Sequence, residues 1–287
     1  SCAGTVLNGD YPNQTDSRLV SPTVTLPAIV GDDEIHLHYW TWSSVGDAED
    51  YRQVQLSEWD ESTGAWQDWV DVGPRQIWPS PAWSVVAVDL SEYAEKTVRI
   101  AFLHASDGYY TGLGWYIDDI SIVVKEPELD GGFEDGWGDF YTDNGLWQVG
   151  APTAGPGECY QGEQCACTVL DGNYPNQTDS RLITPTIELP TVSGPEQLQL
   201  RIEEWFSFGD AEDWGRVQVS TGIGAGQWSD WATIGVERHN TSGGWSSGAV
   251  PITEYAGQRV RFAFELGSDG NYPGFGWCVD DLRILEI

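Results

Sequence analysis

The sequence predicts an all-β chain of two tandem antiparallel β-sandwiches of jelly-roll type, produced by an internal duplication. Three observations carry this. The nonapeptide Tyr11-Pro12-Asn13-Gln14-Thr15-Asp16-Ser17-Arg18-Leu19 returns unchanged as Tyr174-Pro175-Asn176-Gln177-Thr178-Asp179-Ser180-Arg181-Leu182, and nine identical residues 163 positions apart mark a repeat. Short runs alternate apolar and polar residues with period two. Clusters of Gly, Pro, Asn and Asp interrupt these runs, and no long stretch has helical periodicity.

The first copy opens at Cys2 as Cys-Ala-Gly-Thr-Val-Leu-Asn-Gly, and the second at Cys165 as Cys-Ala-Cys-Thr-Val-Leu-Asp-Gly. An acidic turn, Gly46-Asp47-Ala48-Glu49-Asp50, precedes a predicted strand at 53–56; it matches Gly209-Asp210-Ala211-Glu212-Asp213 before a strand at 216–220. Trp66-x-x-Trp69 matches Trp228-x-x-Trp231 with one residue lost between, so the offset falls to 162. Residues 97–102, 197–202 and 259–264 alternate as strands, and residues 186–189 extend after Pro185. Gly114-Trp115-Tyr116-Ile117-Asp118-Asp119 and Gly276-Trp277-Cys278-Val279-Asp280-Asp281 close the two copies.

Residues 126–164 have no counterpart in the first copy. Phe133, Trp137, Phe140, Tyr141 and Trp147-Gln148-Val149 give this segment strand-like apolar content, so it reads as the opening of the second domain and not as a linker. The expected domains are therefore 1–125, lacking its opening strands, and 126–287, complete.

With 45 acidic and 13 basic residues, the formal charge is −32, which repels phosphate backbones and anionic membranes and excludes nucleic acid as a partner. No run is long enough for membrane insertion. Sixteen Trp and 13% aromatic residues exclude a disordered acidic tail. Five Cys, the sequons at Asn13, Asn176 and Asn240, and the acidity favour a secreted or cell-surface protein. A start at Ser1 without a signal peptide reads as a mature or excised product.

Several residue groups could carry chemistry. In Asp118-Asp119 and Asp280-Asp281, neighbours on a strand point to opposite faces, so one of each pair faces inward. Asp47, Asp50, Asp210 and Asp213 could bind calcium or make an interdomain contact, or could simply form an acidic turn; their spacing is not that of an EF-hand. Trp66, Trp69, Trp83 and Trp115 recur in the second copy and read as packing residues. Trp40, Trp59 and Trp78 have no Trp counterpart and are the candidates for glycan contacts. His36 and His38 share one strand face and either hold a transition metal or are surface polar residues. No catalytic residue is predicted. Gly244-x-Ser246-x-Gly248 fits a nucleophile elbow, but no helix follows, and the first copy lacks the pattern.

Cys167 and Cys278 align with Gly4 and Tyr116, so both are absent together from the first copy, as expected of a bonded pair. Four Cys allow three pairings. The predicted set is Cys167–Cys278 with Cys159–Cys165. Cys2 aligns with Cys165 and is left without a partner.

The motif order Gly-Gly-Phe-Glu (131–134), Leu146-Trp147-Gln148-Val149-Gly150, Cys165-x-x-Thr168, Ser180-Arg181-Leu182, Trp-x-x-Trp and Gly-Trp-x-x-Asp-Asp resembles the MAM-like jelly-roll modules of secreted bacterial proteins. These are the cleaved-adhesin or choice-of-anchor J type, also found beside immune-inhibitor-A-like peptidases. The full pattern covers 131–287. The resemblance implies a structural Ca²⁺ held by Glu134 with Asp280 or Asp281 and carbonyls near Gly131 or Gly132, with a weaker counterpart at Asp118 and Asp119. It also implies a non-catalytic module for surface adhesion or a structural subunit of a fibre or layer. A carbohydrate-binding module pair and an accessory region of a secreted protease are the alternatives. The missing opening strands of the first domain, together with the unpartnered Cys2, predict self-association there, or a donated or retained strand.

Overall fold

The computed structural model describes residues 1–287, with the side chain of Pro81 excepted. Residues 1–81 and 85–126 form one compact unit, and residues 127–287 with 82–84 form the other. Both are built from antiparallel strands, with one 3₁₀ turn each at Ser91–Tyr93 and Thr253–Tyr255.

Unit 1 contains β1 (Ala3–Gly4), β2 (Asp16–Val20), β3 (Val24–Thr25), β4 (Glu34–Ser44), β5 (Tyr51–Asp60), β6 (Ala65–Trp66), β7 (Val70–Gln76), β8 (Ser80–Asp89), β9 (Thr97–Ala105) and β10 (Gly114–Lys125). One sheet runs β1-β10-β4-β8; the other runs β2-β9-β5-β6, with β3 on β9 and β7 on β5. Period-two alternation decides the faces. Along β4, Ile35, Leu37 and Tyr39 are buried while His36, His38 and Trp40 are half-buried on the other face. The buried set meets Val54, Leu56, Ile100 and Phe102 from the second sheet in one core.

Unit 2 repeats this plan with β13 (Cys165–Cys167), β14 (Asp179–Ile183), β15 (Ile187–Glu188), β16 (Leu198–Ser207), β17 (Trp214–Gly224), β18 (Gln227–Trp228), β19 (Ala232–Arg238), β20 (Ser246–Pro251), β21 (Arg259–Gly267) and β22 (Gly276–Glu286). Two strands have no equivalent in unit 1. β11 (Tyr141–Thr142) pairs with β14, and β12 (Gln148–Gly150) pairs with β13. Each sheet of unit 2 thus gains one edge strand: the orders are β11-β14-β21-β17-β18 and β12-β13-β22-β16-β20. Both come from residues 126–164, which have no counterpart among residues 1–125, and Phe133, Phe140, Leu146 and Trp147 of that segment are fully buried in the core of unit 2.

The closing strands carry a β-bulge at the Asp-Asp pairs. Their register shifts after Asp118 and beside Asp280, and Asp119 and Asp281 take left-handed backbone with φ of 49° and 46°. Asp is among the few residues that tolerate this region.

Candidate functional site

The start of the repeated nonapeptide fastens three loops together in the same way in both copies. In unit 2 the Tyr174 hydroxyl donates to Asp213 Oδ2 and accepts from the Gly209 N–H at 2.8 Å. Asp213 Oδ1 accepts the Asp269 N–H at 2.9 Å. The Gln177 N–H donates to the Asp269 carbonyl at 2.5 Å, and Asn176 Nδ2 to the Gly270 carbonyl at 2.8 Å. Unit 1 repeats the set with Tyr11, Asp50, Gly46, Asp107, Gln14, Asn13 and Gly108. A Cβ on Gly209 would lie 1.4 Å from the Tyr272 carbonyl oxygen, so only glycine opens the acidic turn there. Burial pushes the hydroxyls of Tyr11 and Tyr174 up, so they stay protonated donors.

This brings Asp47 and Asp50 together with Asp107, and Asp210 and Asp213 with Asp269; donor atoms of each trio lie within 4.8 Å of one another. The third acid of each trio is one that sequence reading misses, although Ser106-Asp107-Gly108 repeats as Ser268-Asp269-Gly270. The central Asp50 and Asp213 are fully buried, and both oxygens of each already accept internal donors. Of the sequons, Asn13 and Asn176 have their amide nitrogens committed in this fastener, and Asn240 is exposed with φ of 62°.

Glu134 and Asp280 share one loop. The Glu134 carboxylate accepts the N–H groups of Glu163 (3.0 Å) and Gln164 (3.2 Å), and Asp280 Oδ2 accepts that of Gln161 (3.0 Å). A Cβ on Gly162 would lie 2.0 Å from Glu134 Oε1, so glycine is required for the loop to close on the acid. Asp280 is 1% exposed, and burial, reinforced by the Asp281 and Glu134 charges, pushes its carboxyl up to about 6. Two adjacent carboxylates with only backbone donors fit a hard cation in donor type. Asp281 does not join them, since its carboxylate turns to Arg283. In unit 1, Asp118 accepts the Asp119 N–H, Asp119 is exposed, and Glu134 has no counterpart. The Gly131 carbonyl accepts the Leu282 N–H at 3.1 Å.

The structure pairs Cys159 with Cys165, which closes the loop over Glu134, and Cys167 with Cys278, which joins β13 to β22. Cys2 is free and exposed. Of the repeated tryptophans, Trp115 and Trp277 are buried in the cores, and Trp66 lies under the Arg99 guanidinium and Trp228 under that of Arg261, at 4.0 and 3.8 Å, whereas Trp83, expected to pack, is 40% exposed. Trp40, Trp59 and Trp78 do not converge on one surface. Trp40 is on β4 and Trp59 on β5, in opposite sheets, and Trp59 meets Trp66 at 5.3 Å; the Trp78 carbonyl accepts the buried Arg52 guanidinium.

The twins differ at an apolar slot in unit 1. It has a volume of about 560 Å³, lies between the two sheets beside β2, and is walled by Leu19, Val20, Leu37, Phe102 and Ile122. Leu19 and Val20 are 50% and 42% exposed, whereas their twins Leu182 and Ile183, with β11 paired beside them, are 0% and 4% exposed. A smaller opening continues past Ala3 and Gly4 of β1, next to Cys2.

Ser246, the apparent elbow serine, lies within strand β20 with its hydroxyl 3.3 Å from the Glu204 carbonyl, so no elbow forms. Among the described residues, no helix is long and apolar enough to cross a membrane.

No family model matches the chain. Bacillopeptidase F of Bacillus subtilis (strain 168) is 31% identical over 175 residues, which cover 58% of this chain and 12% of that protein. The chain thus spans about an eighth of the length of this relative, 12%. Among solved structures, the tandem N-terminal CBM22-1–CBM22-2 domains of Paenibacillus barcinonensis Xyn10C align at a TM-score of 0.36 with 12% identity, over 100% of this chain and 97% of that one. A second, from work on the promiscuous specificity of β-sandwich carbohydrate-binding modules, aligns at 0.38 with 12% identity, over 95% of this chain and 98% of that one.

Proposed function

We propose that the chain is a non-catalytic, exported β-sandwich pair, an accessory or attachment region of a larger secreted protein, whose first unit associates with a second copy through its open edge. The observation that carries this is the uncovered slot of unit 1, at the place that unit 2 closes with its own residues 127–150. β2 offers an unpaired backbone edge and exposed Leu19 and Val20. A strand added there gains ladder hydrogen bonds and buries apolar area at about 25 cal/mol per Å². Cys2 at the rim is placed to lock such a contact covalently. Disulfides fit an oxidising, extracellular setting. The likeness to a short stretch of a peptidase supports an accessory role, since the repeated motifs are spent on fastening loops. Calcium, held by Glu134 and Asp280, stabilises unit 2 in this reading.

The test is light scattering of the purified chain under oxidising and reducing conditions, with Cys2→Ser and Leu19→Lys alongside. A concentration-dependent dimer, lost in Leu19→Lys and not covalent in Cys2→Ser, is expected. A clean monomer at all concentrations overturns self-association. If that monomer binds a synthetic peptide of residues 127–150, the slot takes a strand from elsewhere and not from a second copy.

A further inference from the structure

We infer that unit 1 carries a binding site for a divalent transition cation, of the zinc class, at Glu34, His36 and Asp89. The three side chains come from neighbouring strands β4 and β8. One donor atom of each lies within 4.8 Å of the others. Ligands about 2.0–2.2 Å from a tetrahedral zinc stand roughly 3.3–3.6 Å apart, so side-chain rotation alone closes the set.

Position and burial distinguish this cluster from a scatter of surface acids. Glu34 is buried, and His36 Nε2 stands 2.8 Å from Glu34 Oε2 with little of either side chain exposed. The backbone is fixed on both sides: the Leu90 N–H donates to the Ile35 carbonyl at 2.7 Å, and the Ile35 N–H to Ser91 Oγ at 3.0 Å. Asp89 is oriented by the Ser91 N–H, 3.0 Å from its Oδ1. A second imidazole, His38, follows on the same face, its ring 5.8 Å from that of His36.

Donor type chooses the cation. Two carboxylates and one imidazole in a half-buried place offer oxygen and nitrogen donors together to one divalent ion. An imidazole nitrogen beside carboxylate oxygens suits zinc, nickel or copper, whereas calcium takes oxygen alone. The duplication supplies an internal comparison. Glu34, His36, His38 and Asp89 align with Gln197, Gln199, Arg201 and Pro251, so every candidate ligand is replaced together in the twin, while the strands themselves persist.

The experiment is calorimetric titration of the chelator-treated full chain with Zn²⁺ in excess Ca²⁺, repeated with Co²⁺ to read the visible absorption of a bound ion. One calcium-resistant zinc site is expected, weakened at least tenfold in Asp89→Asn and in the double variant Glu34→Gln/His36→Gln. Gln at those two positions is what the twin strand carries, so the fold is retained; a zinc-free melting temperature near wild type checks this. The inference is overturned if the wild type binds no zinc, or if both variants bind it as tightly as wild type, which would place the ion on the general acidic surface.

Discussion

Asp143 grips Arg181 at two points: its Oδ1 accepts the Arg181 backbone N–H at 2.9 Å, and its Oδ2 accepts the guanidinium at 2.9 Å. The contact ties the segment found only in the second copy to strand β14. Arg181 also bonds Gln218 and Glu265. Its twin Arg18 keeps the Gln55 bond at 2.8 Å but faces Leu103 where Arg181 faces Glu265, and its ion-pair partner is the exposed Asp16. The same arginine is a half-buried clamp in one copy and a surface residue at an open slot in the other.

Replacing these arginines should therefore give unequal costs. Arg181→Ala strands Asp143 and Glu265, both buried, and should destabilise unit 2 by roughly 3–5 kcal/mol. Arg18→Ala, a third exposed with an exposed Asp16 as its ion-pair partner, should cost under about 1 kcal/mol. Urea unfolding of both variants checks this; equal losses would mean that the slot is already closed by something that engages Arg18.

The neighbouring leucines should part in the same way. Leu182→Lys places a charge in a fully buried site and should prevent folding of unit 2. Leu19→Lys, at a half-exposed site, should leave the melting temperature of the monomer nearly unchanged. Circular dichroism melts of dilute samples decide it.

These contrasts show how much was legible in advance. Strands with strict alternation, such as β16 and β21, were visible because one face must meet the core. The missing edge strands followed from aligning the two copies, and the joint absence of Cys167 and Cys278 pointed to their bond. Strands β2 and β14 were hidden inside the nonapeptide, whose polar residues mask the period. Asp107 and Asp269 were passed over because they lie far in sequence from the turns they complete, and only the fold closes that distance. The inward turn of Asp280 alone depends on the bulge at Asp281, a backbone feature with no side-chain pattern.

Acid should destabilise unit 1 through His104. This side chain is fully buried, edge-on to Tyr11 at 4.5 Å between rings. Burial, with the nearby Arg52 charge, holds its pKa at about 4, below the ordinary value of 6.5. The unfolded chain therefore binds a proton at His104 that the folded chain refuses. The stability is complete above pH 6.5 and is lost as pH falls from there through about 4, on the order of 3 kcal/mol in all. Unit 2 carries Leu266 at this position. His104→Leu should flatten the acid limb of a plot of urea midpoint against pH; parallel limbs for variant and wild type would refute the assignment.

The two disulfides should contribute unequally. Cys167–Cys278 spans 111 residues and Cys159–Cys165 only six. In the chain-entropy account the long loop is worth about 4–5 kcal/mol and the short one about 2–3. Cys167→Ala/Cys278→Ala should lower the unfolding midpoint of unit 2 about twice as far as Cys159→Ala/Cys165→Ala. Near-equal losses would mean that the short bridge acts mainly by holding the loop on Glu134 and Asp280.

That loop is also where calcium should be felt. Glu134 and Asp280 are both negative, both fed by backbone N–H groups of residues 161–164, and Asp280 is desolvated. A cation between them removes the repulsion and binds only the folded state. At a hundred times its dissociation constant it adds about 2.7 kcal/mol, or roughly 5–10 °C in the melting temperature of a domain this size. Chelation should lower the melting temperature of unit 2 by that amount, and added Ca²⁺ should restore it. Glu134→Gln should abolish the response, and Asp281→Asn, turned toward Arg283, should keep it. Gly162→Ala, whose Cβ would press on the Glu134 carboxylate, should weaken it. A calcium response that survives in Glu134→Gln would move the site elsewhere, with the trio Asp210, Asp213 and Asp269 the next to be tested by Asp210→Asn.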